Sequence, residues 1–155
     1  RPYRQSDFES LLAFHDDPVT TSVYGAMTRA EVWRRLATGL GHWALRGFGP
    51  WALEDKATGE YVGACSLWFP ESWDDVEIGY GIYPKFRGAG LAVEAATRVR
   101  EFGYVEHGFK RLVSYINPSN ANSIRVATKL GAVPDGTFDM AGKLHTIYLH
   151  PKSSN

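Results

Sequence analysis

One segment constrains the fold more than any other: a glycine-containing strand that leads through a glycine-rich turn into a helix. The strand pattern of residues 76–84 is rich in β-forming side chains, but Gly79 and Gly81 weaken it as an ordinary strand. These glycines predict a bulge or a close approach of another group to the backbone. Apolar residues at helical spacing follow the turn, which is Arg87-Gly88-Ala89-Gly90.

This turn predicts an anion-binding site. Its glycines let backbone N–H groups converge on one point, and the helix that follows adds about half a positive charge there. The Arg87 side chain can add a charge-assisted hydrogen bond. A tight strand-to-helix turn without a ligand is the alternative. A Walker A loop does not fit, because Gly-Lys-Ser/Thr is missing, and Val93 replaces the third glycine of a dinucleotide-binding fingerprint.

Hydrophobic periodicity elsewhere predicts the element order αα-βββ-α-β-α-ββ, after a first strand ending near residues 1–3. Capping boxes at Ser6–Glu9 and Thr28–Glu31 are predicted to open the first two helices. Gly39 or Gly41 is predicted to end the second helix. The apolar residues on its neighbouring turns are Val32, Trp33, Leu36 and Leu40. We expect an α+β fold in a single domain over residues 1–155, not a doubly wound one.

Composition excludes several classes of protein. The chain has 155 residues, and its 44% hydrophobic content argues against disorder as the main state. Its 17 basic and 17 acidic side chains cancel, which argues against nucleic acid or an anionic membrane as the main partner. Cys65 is the single cysteine, and no Cys/His spacing suggests zinc, so we expect no metal and a cytoplasmic location.

Three segments in fixed order carry a resemblance to a known family: RPYRQSDFESLLAF, EIGYGIYPKFRGAGLAVEAA and INPSNANSIRVATKLGA, within residues 1–14, 77–96 and 116–132. Arg87, Gly90 and Ala92 occupy the motif positions of the second segment, and Asn120 and Ser123 those of the third. The chain resembles the Gcn5-related N-acetyltransferases (GNAT), in the branch similar to bacterial ribosomal-protein N-terminal acetyltransferases.

The resemblance implies a GNAT fold, with a splayed, twisted mixed sheet flanked by helices, and acetyl-CoA as co-substrate. The pantetheine arm would run along the strand end at Gly81, Ile82 and Tyr83, near Asn120 and Ser123. Asn120 can equally be a helix N-cap, or serve both roles. The amides implied to hold the pyrophosphate are those of Arg87, Gly88, Ala89, Gly90, Leu91 and Ala92.

The resemblance also implies direct acyl transfer from a thioester to an amine. The backbone N–H of Ile82 is the candidate donor to the thioester carbonyl, and Glu77 is the candidate base. Alternatively, Glu77 is a solvated strand residue or only binds the incoming amine. Many family members carry a proton-donating Tyr where this chain has Ala127. The general acid is therefore open between Ser123, a water and none.

The resemblance also implies that the first half of the chain builds the acceptor site, as it usually does in this family. All five tryptophans lie in this half. Trp68 and Trp73 flank an acidic loop containing Asp74 and Asp75, and an aromatic slot with carboxylates suits a cationic amine. Core aromatics beside a solvated loop are the alternative.

The resemblance to the ribosomal-protein branch implies a protein or peptide α-amine as the acceptor. The pKa of such an amine is near 8, so it demands less of a base than a lysine amine does. A small amine is a second candidate, and an acetyl-CoA-binding module without transfer activity is a third. Similar proteins commonly form homodimers, so a homodimer is also considered.

Overall fold

A six-stranded sheet flanked by helices forms the fold in this computed structural model, which describes residues 1–152. The helices are α1 (Phe8–Asp16), α2 (Pro18–Tyr24), α3 (Arg29–Arg46), α4 (Leu91–Glu101) and α5 (Ala121–Lys129). The strands are β1 (Pro50–Glu54), β2 (Tyr61–Trp68), β3 (Val76–Ile82), β4 (Leu112–Ile116), β5 (Val133–Met140) and β6 (Lys143–Leu149).

Within the described residues the sheet order is β1-β2-β3-β4-β6-β5. The pairing of β3 with β4 is parallel, and β6 pairs antiparallel with both β4 and β5. Parallel and antiparallel pairs thus share one sheet, which confirms the predicted α+β class. Short 3₁₀ turns at Gln5–Asp7 and Pro84–Phe86 precede α1 and the glycine-rich turn, and a π-helical turn, Phe102–Glu106, extends α4.

The chain divides into two compact units. The first contains Arg1–Cys65 and Tyr80–Leu91, and the second contains Ser66–Gly79 and the chain from Ala92 onward. A core cluster of the first unit consists of Tyr3, Leu11, Val32, Leu36 and Ala52. A core cluster of the second consists of Ile116, Ala127, Ala132 and Tyr148. That the chain acts as one domain stays a prediction.

The start of the chain differs from the prediction. The prediction of a capping box at Ser6–Glu9 was wrong. Instead, the Asp7 carboxylate accepts a hydrogen bond from the Arg4 amide at 2.7 Å and forms an ion pair with Arg1 at 2.8 Å. The expected first strand is reduced to an isolated antiparallel bridge between Pro2 and Trp51.

Helix α2 was not predicted. It is only seven residues long, and Asp17 opens it by accepting hydrogen bonds from the amides of Val19 and Thr20. Pro18 at its first position fixes a helical φ. A capping Asp before a proline was the signal in the sequence, but seven residues are too few for hydrophobic periodicity to show.

Helix α3 confirms one prediction and corrects two. Thr28 and Glu31 form the predicted capping box. The helix does not end at Gly39 or Gly41 but at Arg46, before Gly47, which has a left-handed φ of 74°. Gly39 faces inward, where an added Cβ would lie 2.8 Å from Pro50. A glycine inside a helix therefore marks close packing here, not a stop.

The apolar residues of α3 do not all enter the core. Trp33 and Leu40 are 57% and 39% exposed. The buried stripe is instead Val32, Leu36, Gly39 and His42. These positions recur every three or four residues, so the helical period is correct, but residue size was a poor guide to which face is buried.

Candidate functional site

The glycine-rich turn presents its backbone to open space. Gly88 and Gly90 have φ angles of 87° and 83°, and a Cβ added to either would meet nothing within 4 Å. Such φ angles strongly favour glycine. Helix α4 begins directly afterwards at Leu91, and the first amides of a helix have no partner within it. The segment can therefore offer converging N–H groups and a positive helix end to an anion.

Arg87 faces the protein rather than the turn. Its Nε donates to the Ile82 carbonyl at 2.9 Å, and its Nη2 lies 3.4 Å from the Thr20 hydroxyl, which is buried. Its backbone amide donates to the Pro84 carbonyl at 3.2 Å. Arg87 therefore braces the end of β3 against the turn, a role that sequence analysis did not assign to it.

The close approach predicted at Gly81 is present, and protein groups make it. A Cβ on Gly81 would lie 2.9 Å from Cζ of Phe14. A Cβ on Gly63, in β2, would lie 2.4 Å from the carbonyl oxygen of Gly81. An aromatic ring of α1 and the neighbouring strand thus account for this glycine without a ligand.

Ile82 and Tyr83 lie where β3 ends. Ile82 is buried, and its carbonyl accepts the Arg87 bond. The Tyr83 amide donates to the Val62 carbonyl at 2.9 Å, and the Tyr83 carbonyl accepts from the amide of Phe86 at 2.9 Å. Both backbone groups of Tyr83 are thus engaged within the protein. Burial raises the pKa of its phenol.

In the second unit, the pairing of β3 with β4 ends early. Val76 pairs with Leu112 and Glu77 with Val113, and then the Ser114 hydroxyl donates to the Ile78 carbonyl at 2.6 Å. A side chain therefore replaces the next backbone hydrogen bond, as expected for a splayed sheet.

Glu77 lies on the half-buried face of the sheet. Because Glu77 pairs with Val113, and side chains alternate along a strand, Tyr115 lies on this same face. Gly79 also lies there, and the position of an added Cβ is 2.8 Å from Ser66 Oγ and 3.8 Å from Glu77 Oε2. An alanine at this position would therefore collide with the Ser66 hydroxyl.

Tyr115 was missed by sequence analysis. Its ring centroid lies 4.9 Å from that of Trp73 and 4.5 Å from that of Phe138, with near-perpendicular and tilted geometry. Burial and then the charge of Asp75 raise the pKa of its phenol to about 12. The sequence held no signal for it, because the register of β3 against β4 decides which residues of β4 share a face with Glu77.

The structure separates the two predicted acceptor carboxylates. Asp75 accepts from Arg111 Nε at 2.8 Å, and Arg111 also reaches Asp135 at 2.6 Å. Asp74 is exposed and forms no ion pair within residues 1–152. Trp68 lies half-buried at the end of β2, on the face that carries Ser66. Asp75 therefore anchors the loop, and Asp74 is the carboxylate that solvent reaches.

At the start of α5, Asn120 accepts from the Ser123 amide at 3.1 Å, which confirms the N-cap prediction. Contact of either residue with a pantetheine arm stays a prediction. Ala127 is fully buried. The departure from the family's Tyr therefore lies in the core of the second unit.

No cluster of three or more His, Cys, Asp or Glu suited to a metal ion occurs in the described part of the chain. Of the helices formed by residues 1–152, none has the length and apolarity to cross a membrane.

Comparison with known proteins agrees with this geometry. A family model of the GNAT acetyltransferase domain matches residues 1–133. Over 101 residues the chain is 36% identical to the uncharacterized protein YkkB of Bacillus subtilis. The matched region covers 63% of this chain and only 58% of the length of that relative.

Solved structures share the fold. An acetyltransferase from Agrobacterium tumefaciens superposes with a TM-score of 0.89 at 25% identity, covering 98% of this chain and 89% of its own. A ribosomal-protein-S5-alanine acetyltransferase from Vibrio fischeri gives a TM-score of 0.76 at 16% identity, covering 96% and 90%. An aminoglycoside acetyltransferase in complex with coenzyme A gives 0.78 at 18%, covering 97% and 92%. The chain belongs to the GNAT acetyltransferase family, whose reaction class is transfer of an acetyl group to an amine.

Proposed function

We propose that this protein is an acetyl-CoA-dependent N-acetyltransferase whose acceptor is the α-amine of a protein or peptide. The amine nitrogen attacks the thioester carbonyl directly, the C–S bond breaks, and coenzyme A leaves as the thiol. The observation that carries the proposal is the turn at residues 88–90, with two left-handed glycines open to space before α4.

The residues fit the phosphates of acetyl-CoA. The amides of Gly88, Ala89, Gly90, Leu91 and Ala92 are the ones we assign to the pyrophosphate, because the Arg87 amide is already bonded to Pro84. Arg87 then supports the site by holding the carbonyl of Ile82 rather than by touching the ligand. The bound co-substrate supplies the activated thioester.

Glu77 is our candidate base. It lies half-buried on the face that carries Tyr115 and the bare α-carbon of Gly79, and its carboxylate is 3.8 Å from the Cβ position there. It would take one proton from the ammonium before attack, and the Ile82 amide would stabilise the oxyanion. An α-amine has a pKa near 8, so a carboxylate and water suffice at neutral pH.

Likeness of fold to a ribosomal-protein-S5-alanine acetyltransferase supports the peptide acceptor. A small cationic amine is the second candidate, since the exposed Asp74 offers a carboxylate to solvent beside Trp73. The similar fold of an aminoglycoside acetyltransferase also supports this second class.

The test of co-substrate binding compares two glycine variants. Gly90→Ala and Gly108→Ala each place an alanine at a left-handed φ, and the added Cβ has no other atom within 4 Å in either case. The two variants should therefore lose the same amount of stability through backbone strain alone. Acetyl-CoA at 100 times its Kd should stabilise the wild type and Gly108→Ala by about 2.7 kcal/mol, but Gly90→Ala much less. Equal stabilisation of both variants would contradict the assigned turn.

The test of the acceptor measures release of coenzyme A with several amines. Peptides with N-terminal alanine or serine, spermidine and an aminoglycoside form the panel. Preference for the peptides supports the proposal, and preference for spermidine or the aminoglycoside supports the second class. Release that no amine accelerates would leave only acetyl-CoA binding.

A further inference from the structure

A cavity of about 390 Å³ lies in the second unit and shares no residue with the sites assigned to acetyl-CoA and to the acceptor. Its volume falls in the range of roughly 300–1,000 Å³ that is usual for small-molecule sites. Its apolar wall consists of Tyr104, Val133, Leu149 and Pro151. We call this space the Tyr104 cavity.

The polar atoms of the wall are engaged with the protein or closed to solvent. The Tyr104 hydroxyl donates to the His150 carbonyl at 2.6 Å and accepts from the Leu112 amide at 3.3 Å. His150 also lines the cavity, and its Nε2 lies 2.9 Å from Ser114 Oγ. Its Nδ1 has no hydrogen-bond partner within residues 1–152, but this atom is shielded from solvent. Hydrophobic contact is therefore what the wall offers to a ligand.

The charged side chains that line the cavity have one sign. Lys110 and Lys152 are both exposed, and neither forms an ion pair within residues 1–152. No Asp or Glu of the described residues lines the cavity. The Lys152 Nζ lies 5.9 Å from the centroid of the Tyr104 ring, so one ammonium stands over the apolar wall. The chain as a whole has 17 basic and 17 acidic side chains, so this excess of positive charge is local.

A further positive charge acts on the inner wall from α4. Burial, and after it the charge of Arg100, lowers the pKa of His150 to about 4. The same charge opposes the rise that burial gives to the pKa of the Tyr104 phenol. His150 is therefore neutral at pH 7, and Arg100 adds to the positive potential of the two lysines. An anion is the kind of ligand that this potential attracts.

We propose that the Tyr104 cavity binds a small organic anion with an apolar body, of which an aromatic carboxylate is the simplest case. The ammonium groups of Lys110 and Lys152 hold the carboxylate, and the ring of Tyr104 packs on the apolar body. This inference goes beyond the proposed function, because it adds a ligand site whose residues take no part in acetyl transfer.

Benzoate is the probe, and two partial mimics accompany it. Acetate keeps the charge without the ring, and benzyl alcohol keeps the ring without the charge. In NMR titrations benzoate should bind more tightly than either mimic by on the order of tenfold or more. The ring signals of His150, identified by their loss in His150→Gln, should shift with benzoate, whereas those of His42 in the first unit should not. No binding of benzoate, or equal binding of all three compounds, would overturn the proposal.

Two double variants separate the cavity from the overall charge. Lys110→Gln with Lys152→Gln should weaken benzoate binding by about fivefold for each lysine removed. Lys56→Gln with Lys143→Gln is the matched control, because it removes the same charge from exposed positions outside the cavity. Benzoate should bind to this control as it binds to the wild type. Equal weakening in the two double variants would show that net charge, and not the cavity, attracts the anion.

A carboxylate built into the wall provides the last test. Val133 is 56% exposed, so Val133→Glu should fold, as urea unfolding checks, and should block benzoate by giving the lysines an anion of the protein itself. Acetyl-CoA should stabilise this variant and the wild type equally, so the two sites are tested separately. Unchanged benzoate affinity in Val133→Glu would contradict the assigned cavity. Displacement of benzoate from the wild type by saturating acetyl-CoA would also overturn the proposal, because it would place benzoate in the acetyl-CoA site.

Discussion

The Ser114 hydroxyl donates a 2.6 Å hydrogen bond to the Ile78 carbonyl at the point where β3 and β4 stop pairing. Its oxygen lies 2.9 Å from Nε2 of His150. Because the hydroxyl hydrogen is used on Ile78, Nε2 must carry the hydrogen of the neutral imidazole and donate it to Ser114. Two buried side-chain hydrogen bonds, from His150 to Ser114 and from Ser114 to Ile78, thus satisfy the end of β3 where its pairing with β4 stops.

Ser114→Ala should therefore be costly. It leaves the Ile78 carbonyl and the His150 N–H buried without partners, and we expect a loss of about 1–3 kcal/mol in the free energy of unfolding. Urea unfolding measures this loss. Ser22→Ala, which removes an exposed hydroxyl bonded within α2, should change stability by less than about 0.5 kcal/mol. Equal effects of the two variants would contradict these two hydrogen bonds.

Two buried histidines predict a pH-dependent stability. Burial lowers the pKa of His150 and of His15 to about 4 from the ordinary 6.5. Below pH 6.5 the unfolded chain binds protons that the folded chain does not, so stability falls as the pH drops from 6.5 toward 4. The expected loss is on the order of 3 kcal/mol for each histidine.

His150→Gln isolates one of these contributions. Urea unfolding between pH 7.5 and 4.5 should show a smaller loss of unfolding free energy for this variant than for the wild type. The carboxylates are the same in the two proteins, so their titration contributes equally to both curves. The difference between the two curves should grow below pH 6.5. Parallel curves over the whole range would show that His150 is not held neutral by the fold.

Local signals in the sequence predicted the parts of the fold that local physics controls. The Thr28–Glu31 box, the Asn120 cap and the closing strands are confirmed because each depends on residues close in sequence. Gly39 and Trp33 were misassigned because only tertiary contacts decide that the glycine packs inward and the indole faces solvent.

The candidate site was predicted in the same uneven way. The turn before α4 is evident in the sequence, since left-handed glycines are needed there. Tyr115 was missed because its importance comes from the register between β3 and β4, which a single sequence does not specify. The need for glycine at position 81 was likewise not predictable, because it comes from the packing of Phe14, which is distant in sequence, against this residue.

Gly81→Ala tests that packing. A Cβ 2.9 Å from Phe14 Cζ should cost about 1–3 kcal/mol of stability, and Phe14→Leu in the same chain should recover part of it. A double-mutant cycle on the free energy of unfolding should give a coupling above about 0.5 kcal/mol. Gly41→Ala, inside α3 with no atom within 4 Å, should instead stabilise by about 0.5–1 kcal/mol.

Variants of the two aspartates in the acidic loop, Asp74 and Asp75, should have different effects, one on acceptor binding and the other on stability. Asp75→Asn breaks a partly buried ion pair of 2.8 Å with Arg111, so we expect a loss of about 1 kcal/mol that shrinks in high salt. Asp74→Asn removes an exposed charge and should change the free energy of unfolding by less than about 0.5 kcal/mol.

If small cationic amines are the acceptors, Asp74→Asn should raise the KM for spermidine and leave the KM for a neutral peptide unchanged. The reason is that only a cationic acceptor loses an electrostatic attraction when this carboxylate is removed. Urea unfolding and steady-state kinetics on the same two variants decide it. A destabilised Asp74→Asn with an unaffected Asp75→Asn would reverse the roles assigned to this loop.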